Sequence, residues 1–252
     1  MPQPIKTEFA VKMSCNSCVK AVTKVLQGID GIQSFNINLE RQQVIIDSTL
    51  PAFKLKELIE KTGRQAVLTG FGITNTETHL GAAVAAIDTG NNVKGVIRMV
   101  QATPESCIIE GTIDGLTPGK NTVCIHQLGD ISDGCNSCGD VYSIIESFNK
   151  TTGNIQAVDT SEDGRATFHK EIKNLKLHEI VGRSVVIHEG DLNALEKGST
   201  VRVGCGIIAR SAGIFENAKM LCACDGVSIW DERNRPIAGV GRSTIETPSA
   251  KI

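Results

Sequence analysis

Across the first seventy residues, apolar positions switch between a period of two and a period of three to four. Phe9, Val11 and Met13 alternate with polar neighbours over Thr7 to Met13, as a half-buried strand does. From Cys18 onward Val19, Val22, Leu26 and Ile29 recur at three- and four-residue steps, which predicts an amphipathic helix ending between Gly28 and Gly31. Alternation returns over Ile32 to Leu39 and Gln42 to Ser48, a hairpin around Glu40-Arg41. Phe53, Leu55, Leu58, Ile59 and Thr62 predict a second helix stopped at Gly63, and Gln65 to Leu68 a last short strand. The order βαββαβ is the ferredoxin-like split βαβ.

After Gly70-Phe71-Gly72, read as a hinge, the texture changes. Short β-like runs recur at Ala82 to Asp88, Val93 to Gln101, Cys107 to Ile113, Thr122 to Gln127, Ala166 to Ile172, Ser184 to His188 and Val201 to Ile208. Turns rich in glycine and aspartate separate them. That rhythm predicts an all-β sandwich or barrel. The final forty residues carry only two aromatics, Phe215 and Trp230, with Pro236, Pro248 and scattered glycines, which predicts a flexible tail. The expected division is therefore residues 1–70, a linker over 71–79, a β domain over 80–212 and a tail over 213–252.

The 252 residues suffice for two cores, and a net charge of −2 gives no electrostatic footprint for nucleic acid or an anionic membrane. No apolar run reaches the length of a membrane span, and Met1-Pro2-Gln3-Pro4 lacks the build of a secretory signal. These features predict a cytoplasmic protein, in a compartment that keeps most thiols reduced. Nine cysteines then need a reason, and metal binding or redox exchange is the starting expectation.

Cys15-Asn16-Ser17-Cys18 falls where the first strand hands over to the first helix. Free backbone N–H groups and the positive end of the helix dipole favour thiolates there. Residues three apart share a helix face, so both sulfurs can reach one ion. Two thiolates suit a soft cation of low coordination number, and Cu(I) fits best, since zinc normally takes four ligands. A redox pair of the thioredoxin kind also sits at a helix start, but Asn16-Ser17 lacks the Trp/Gly/Pro context of that family. The repeat of Cys-Asn-Ser-Cys at 135–138 lies too far away to complete a zinc ribbon. In the tail, Cys222-Ala223-Cys224 can bind Cu(I) or close a strained, labile disulfide, and spacing does not separate the two.

Met13-x-Cys15-x-x-Cys18 on a ferredoxin-like domain resembles the heavy-metal-associated domain of small copper chaperones. The resemblance implies that Met13 is a buried shaping residue and that Arg64 lies near the metal loop, where it could offset the charge of a bis-thiolate complex. A solvated loop arginine is the equal alternative.

Several later segments resemble copper/zinc superoxide dismutase: Val93 to Ile97, Gly111 to Pro118, Ile125 to Asp130, Val181 to Glu189 and Arg202 to Gly206. The resemblance implies a Greek-key barrel, but the metal ligands do not carry over. Cys124 and Val141 stand where two histidines belong, and no histidine lies between Asp140 and Asp163. Only His126 and His188 remain of the copper site, so zinc is not expected in this domain and Cys124, His126 and His188 form at most a vestigial cluster. Arg202 matches the arginine that guides superoxide. His79, His169 and His178 match no ligand position. Cys135 and Cys205 match the family's intrasubunit disulfide, and Gly129-Asp130 lies in the loop which that bridge anchors at the dimer interface. Cys138 is expected to be an exposed thiol that could exchange with Cys135, and Cys107 a small core residue.

Metal-carrying domain, dismutase-like domain and Cys-x-Cys tail occur in that order in the family of copper chaperones for superoxide dismutase, which this chain resembles throughout. The resemblance implies a metallochaperone that is not itself an enzyme. It would take Cu(I) at Cys15 and Cys18, pair with an immature dismutase subunit as its homodimer partner would, and use Cys222 and Cys224 to help form the target's disulfide. Self-pairing of free chains stays open. The rival readings are an active dismutase with an appended metal-loading domain, against which Cys124 and Val141 count, and a chaperone for a membrane copper pump, which leaves the β domain without a purpose.

Overall fold

A computed structural model describes residues 4–73, 80–88, 92–146, 149–211, 213–214 and 228–231, with the side chains of 143–146, 149–152 and 154 set aside. The first unit runs β1 (Ile5–Val11), α1 (Asn16–Leu26), β2 (Ile32–Asn38), β3 (Gln43–Ser48), α2 (Ala52–Glu60) and β4 (Ala66–Ile73). Its antiparallel sheet has the order β2-β3-β1-β4, the expected ferredoxin-like arrangement. Cys18, Val22 and Leu26 of α1 and Ala52, Leu55 and Ile59 of α2 face the sheet, where they join Phe9, Val11, Val44 and Ile46 in one core.

One local expectation is corrected. Gly70-Phe71-Gly72 is not a hinge: β4 continues through it, pairing Glu8 with Gly70, Thr7 with Phe71 and Lys6 with Gly72. The glycines serve a close approach. A Cβ at Gly72 would lie 2.6 Å from Cγ1 of Ile214, and one at Gly70 would lie 2.7 Å from Oε2 of Glu8. Only hydrogen fits there.

The second unit runs β5 (Ala82–Asp88), β6 (Lys94–Thr103), β7 (Ser106–Asp114), β8 (Gly119–His126), β9 (Ser143–Glu146), β10 (Asn149–Thr152), β11 (Asn154–Thr160), β12 (Ala166–Lys173), α3 (Leu177–Ile180), β13 (Ser184–Glu189), α4 (Leu192–Glu196) and β14 (Val201–Arg210). Eight strands, in the order β11-β8-β13-β14-β5-β6-β7-β12, make a nearly closed antiparallel barrel with Greek-key crossovers. All seven strands expected from the alternation are present. The eighth, β11, escaped because a bulge between Asn154 and Gln156 breaks its alternation and leaves Ile155 and Val158 buried three residues apart. Ile97, Met99, Ile109, Ile113, Val123, Ile125, Val185 and Ile187 fill the interior, with Cys107 among them as expected.

The two units meet on the outer face of β6 and β7. Val100 and Ile108 stand opposite each other there, yet both are buried and belong to the core of the first unit, not to the barrel's. Beside them Glu110 is flanked by Arg98 on β6 and His169 on β12. The Glu110 carboxylate accepts from the backbone N–H of Ala52 (3.0 Å) and lies 3.4 Å from Nδ1 of His169. Helix α2 follows Pro51, whose side chain offers no cap, so the barrel supplies the missing acceptor at a helix start.

Candidate metal centre

Cys15 is the residue before α1, in extended backbone (φ −160°), and its carbonyl accepts from the N–H groups of Cys18 and Val19 as the first turn closes. The turn brings the two sulfurs to 3.7 Å. With metal–sulfur bonds of about 2.3 Å, both can bond one ion. Cys15 is exposed, whereas Cys18 keeps 8% of its surface and belongs to the domain core. One sulfur meets the outside and the other is anchored by packing. Met13 is buried beneath them, as the resemblance implied.

The polar surroundings favour the charged form of both thiols. The backbone N–H of Ser14, and after it the Arg64 side chain, pull the Cys18 thiol down to about 6. Cys15 is lowered chiefly by the Ser17 hydroxyl, whose Oγ lies 2.9 Å from its sulfur, and next by the Cys18 backbone. Arg64 thus lies against Cys18 and is not a solvated loop residue. Its Nη1 also donates to the Thr62 carbonyl, while its buried Nε has no protein partner. The donor set is two soft sulfurs whose charged forms are favoured, with a cation behind them. Such a set fits a soft monovalent ion that must be released again.

The barrel holds a second group of interest. His126 and His188 stack at 5.1 Å between centroids with their Nε2 atoms 2.9 Å apart. Nδ1 of His126 faces the Gly139 carbonyl at 2.9 Å, which can only accept, so that nitrogen carries the proton. Nε2 of His126 then accepts from Nε2–H of His188, and Nδ1 of His188 accepts from the Thr200 hydroxyl, 2.9 Å away. Burial lowers both histidines, His188 to about 4, so the pair is neutral near pH 7. All four ring nitrogens have partners, the two Nε2 atoms in each other.

Cys124 does not join them. It is buried opposite Val186, its thiol pushed up to about 12 by desolvation, and among the described residues no three His, Cys, Asp or Glu are grouped to share an ion. The structure thus shows His126 and His188 as a hydrogen-bonded pair, with Cys124 on the rung between them opposite Val186. Val141 bridges to His126 where the resemblance called for a histidine. Arg202 donates to the carbonyls of Cys135 (2.8 Å), Asn136 (3.3 Å) and Gly139 (2.8 Å), so it clamps a loop.

Cys135 and Cys205 are joined by a disulfide with Cα atoms 5.6 Å apart. Cys138 is buried against that bridge, not exposed as the sequence suggested. The bridge ties the loop carrying Leu128 and Ile131 to β14. Leu128 and Ile131 are 51% and 43% exposed, and Ile207 on β14 is 40% exposed. The Leu128 carbonyl accepts from the Ser184 hydroxyl, and Ser184 pairs with Ile207, so these side chains border one apolar surface. The sequence had suggested the loop but not these side chains. Cys222, Cys224 and His79 lie outside the described residues. His169 serves the contact between the units, and His178 lies on α3.

Comparison with known proteins agrees with this division. Residues 8–65 match the heavy-metal-associated domain, and residues 93–208 match the copper/zinc superoxide dismutase family. The mouse and human proteins named copper chaperone for superoxide dismutase are each 45% identical over 97% of this chain and 95% of their own length. A rice protein of that name, designated chloroplastic, is 36% identical over 90% of this chain and 71% of its own length.

Proposed function

The chain belongs to the family of copper chaperones for superoxide dismutase, and from that premise we propose that it carries Cu(I) on Cys15 and Cys18 and delivers it to a copper/zinc superoxide dismutase. The carrying observation is the pair of thiols 3.7 Å apart at the start of α1, with Cys18 lowered to about 6. Thiolates present before the ion arrives bind it without first losing protons. Only two of them, one exposed, leave room for a third ligand from an acceptor to enter and for the ion to move by exchange. Resident zinc has no part in this reading, since no histidine lies between Asp140 and Asp163, where the dismutase family's zinc loop would carry its ligands.

The partner is proposed to be a dismutase subunit, bound through the surface of Leu128, Ile131 and Ile207. The barrel shares its family with that partner, and the surface is apolar and open. A heterodimer would bury it; pairing of two copies of this chain through the same surface would compete. Cys222 and Cys224 are proposed to act on the partner's disulfide after docking. A first domain that ends with β4 at Ile73, a dismutase-like domain over 80–212, a tail over 213–252 and a cytoplasmic location complete the proposal. Among the described residues no helix is long and apolar enough to cross a membrane.

The reading is of a chaperone and not of a dismutase, because Cys124 and Val141 replace two ligands and His126 and His188 cannot by themselves cycle a redox metal. The test loads the full chain with Cu(I) and mixes it with copper-free, disulfide-reduced dismutase. Dismutase activity should appear with the mixture and be lost in Cys15→Ser/Cys18→Ser. Full dismutase turnover by the copper-loaded chain alone, or undiminished activation by the double variant, would sink the proposal.

A further inference from the structure

Cys138 is a buried thiol that the copper chemistry does not use. It lies at the end of a short 3-10 turn, Asn136–Cys138, with Cys135 immediately before the turn. Cys138 and Cys205 keep 0% and 1% of their surface, pack together with Val186, and have Cys135 packed against them. Three sulfurs, two bonded and one free, therefore share one site. Cys138 is held in place on both sides, its Sγ donating to the Asp130 carbonyl (3.4 Å) and its own carbonyl accepting from the Leu128 N–H (2.9 Å).

We propose that Cys138 exchanges into the Cys135–Cys205 disulfide, so that the barrel has two pairings and the second one presents Cys135 as a reactive surface thiol. The Cys138 thiolate, its proton given to solvent, attacks Sγ of Cys205. A Cys138–Cys205 bond forms, the Cys135–Cys205 bond breaks, and Cys135 leaves as a thiolate that takes up a proton. The step is neutral in electrons and in net protonation, and no outside oxidant enters. The direction follows from solvation of the leaving group. Cys135 is partly exposed, whereas expelling Cys205 would create a charge in the interior. The barrel's other buried thiols illustrate that cost, with Cys107 and Cys124 both pushed up to about 12. Uncatalysed disulfide rearrangement is slow, so the exchange runs on the order of minutes to hours.

The loop survives the exchange because it has other ties. Arg202 holds the carbonyls of Cys135, Asn136 and Gly139 whether or not Cys135 is bonded. The freed thiol would then stand on the loop that carries Leu128 and Ile131. A nucleophilic sulfur at that place suits a thiol- or disulfide-bearing protein partner, which it could engage as a mixed disulfide.

The test uses the full chain with serine at positions 15, 18, 222 and 224, so that no other dithiol can mediate the exchange. The disulfide-intact, metal-free protein is held without oxygen at mildly alkaline pH, quenched with acid, alkylated and mapped by mass spectrometry. A growing fraction with Cys135 alkylated and Cys138 linked to Cys205 is expected, and adding Cys138→Ser should abolish it. Cys135→Ser, oxidised with glutathione disulfide, should form the Cys138–Cys205 bond. Should that variant fail to fold, the time course of the parent decides alone. The proposal is overturned if Cys135 stays linked to Cys205 throughout, or if the rearranged species instead joins Cys135 to Cys138.

Discussion

Replacing Arg64 with Met should raise the ionisation midpoint of Cys18 and make copper loading sensitive to pH in the neutral range. An ordinary thiol at 9.0 is about 1% ionised at pH 7, whereas one at about 6 is about 90% ionised. The Ser14 N–H is the larger cause and remains in the variant, so the midpoint should settle between those values. Arg64→Met is chosen because its stem retains the packing of the arginine while the donors and the charge are lost.

The assay follows thiolate absorbance and the alkylation rate of Cys18 across pH, in the metal-free protein. The wild-type midpoint is expected near 6 and the variant's clearly above it. Protons compete with Cu(I) only where the thiols are protonated. The contribution of Cys18 to copper affinity should therefore be nearly level above pH 7 and fall as pH drops through 6, with the fall beginning at higher pH in the variant. The folding contribution has the same sign. Because the folded thiol ionises at lower pH than the unfolded one, its stabilisation is fully present above about 9 and is lost as pH falls through 6. A wild-type midpoint near 9, or equal midpoints in the two proteins, would refute the reasoning.

Other perturbations test the remaining links. Cys205→Ser removes a bridge across a sequence separation of 70 and should cost about 4 kcal/mol by chain entropy, read as a lower urea midpoint. Glu110→Ala deprives the Ala52 N–H of its acceptor and should cost about 1–3 kcal/mol, with Glu110→Gln recovering part of it in the same measurement. Leu128→Asp combined with Ile207→Asp should abolish binding to the dismutase subunit in sedimentation experiments while copper loading of Cys15 and Cys18 is unchanged. Acidification should protonate His188 only near pH 4 and His126 below the ordinary histidine range, so the His188 imidazole resonances should be constant down to about pH 5.

The pairing of Cys15 and Cys18 was legible in the sequence because it is local. A Cys-x-x-Cys motif at a strand-to-helix junction places both sulfurs on one turn whatever the rest of the chain does, and Val22, Leu26, Leu55 and Ile59 fix the faces that α1 and α2 bury. Alternation likewise marked seven of the eight barrel strands. It reports which positions are covered, however, and not what covers them. Val100 and Ile108 alternate wrongly for a barrel with one wet face, and that was the available signal that a second body lies there. Only strand register could set Glu110 between Arg98 and His169 and beneath the start of α2, and only packing could bring the Ser14 N–H and Arg64 to Cys18. The same holds for the barrel's sulfurs and imidazoles. Residues far apart in the chain met where hydrogen bonding and burial were satisfied together, so His126 found His188, Cys124 was left against Val186, and Cys138, expected at the surface, was closed in behind the disulfide.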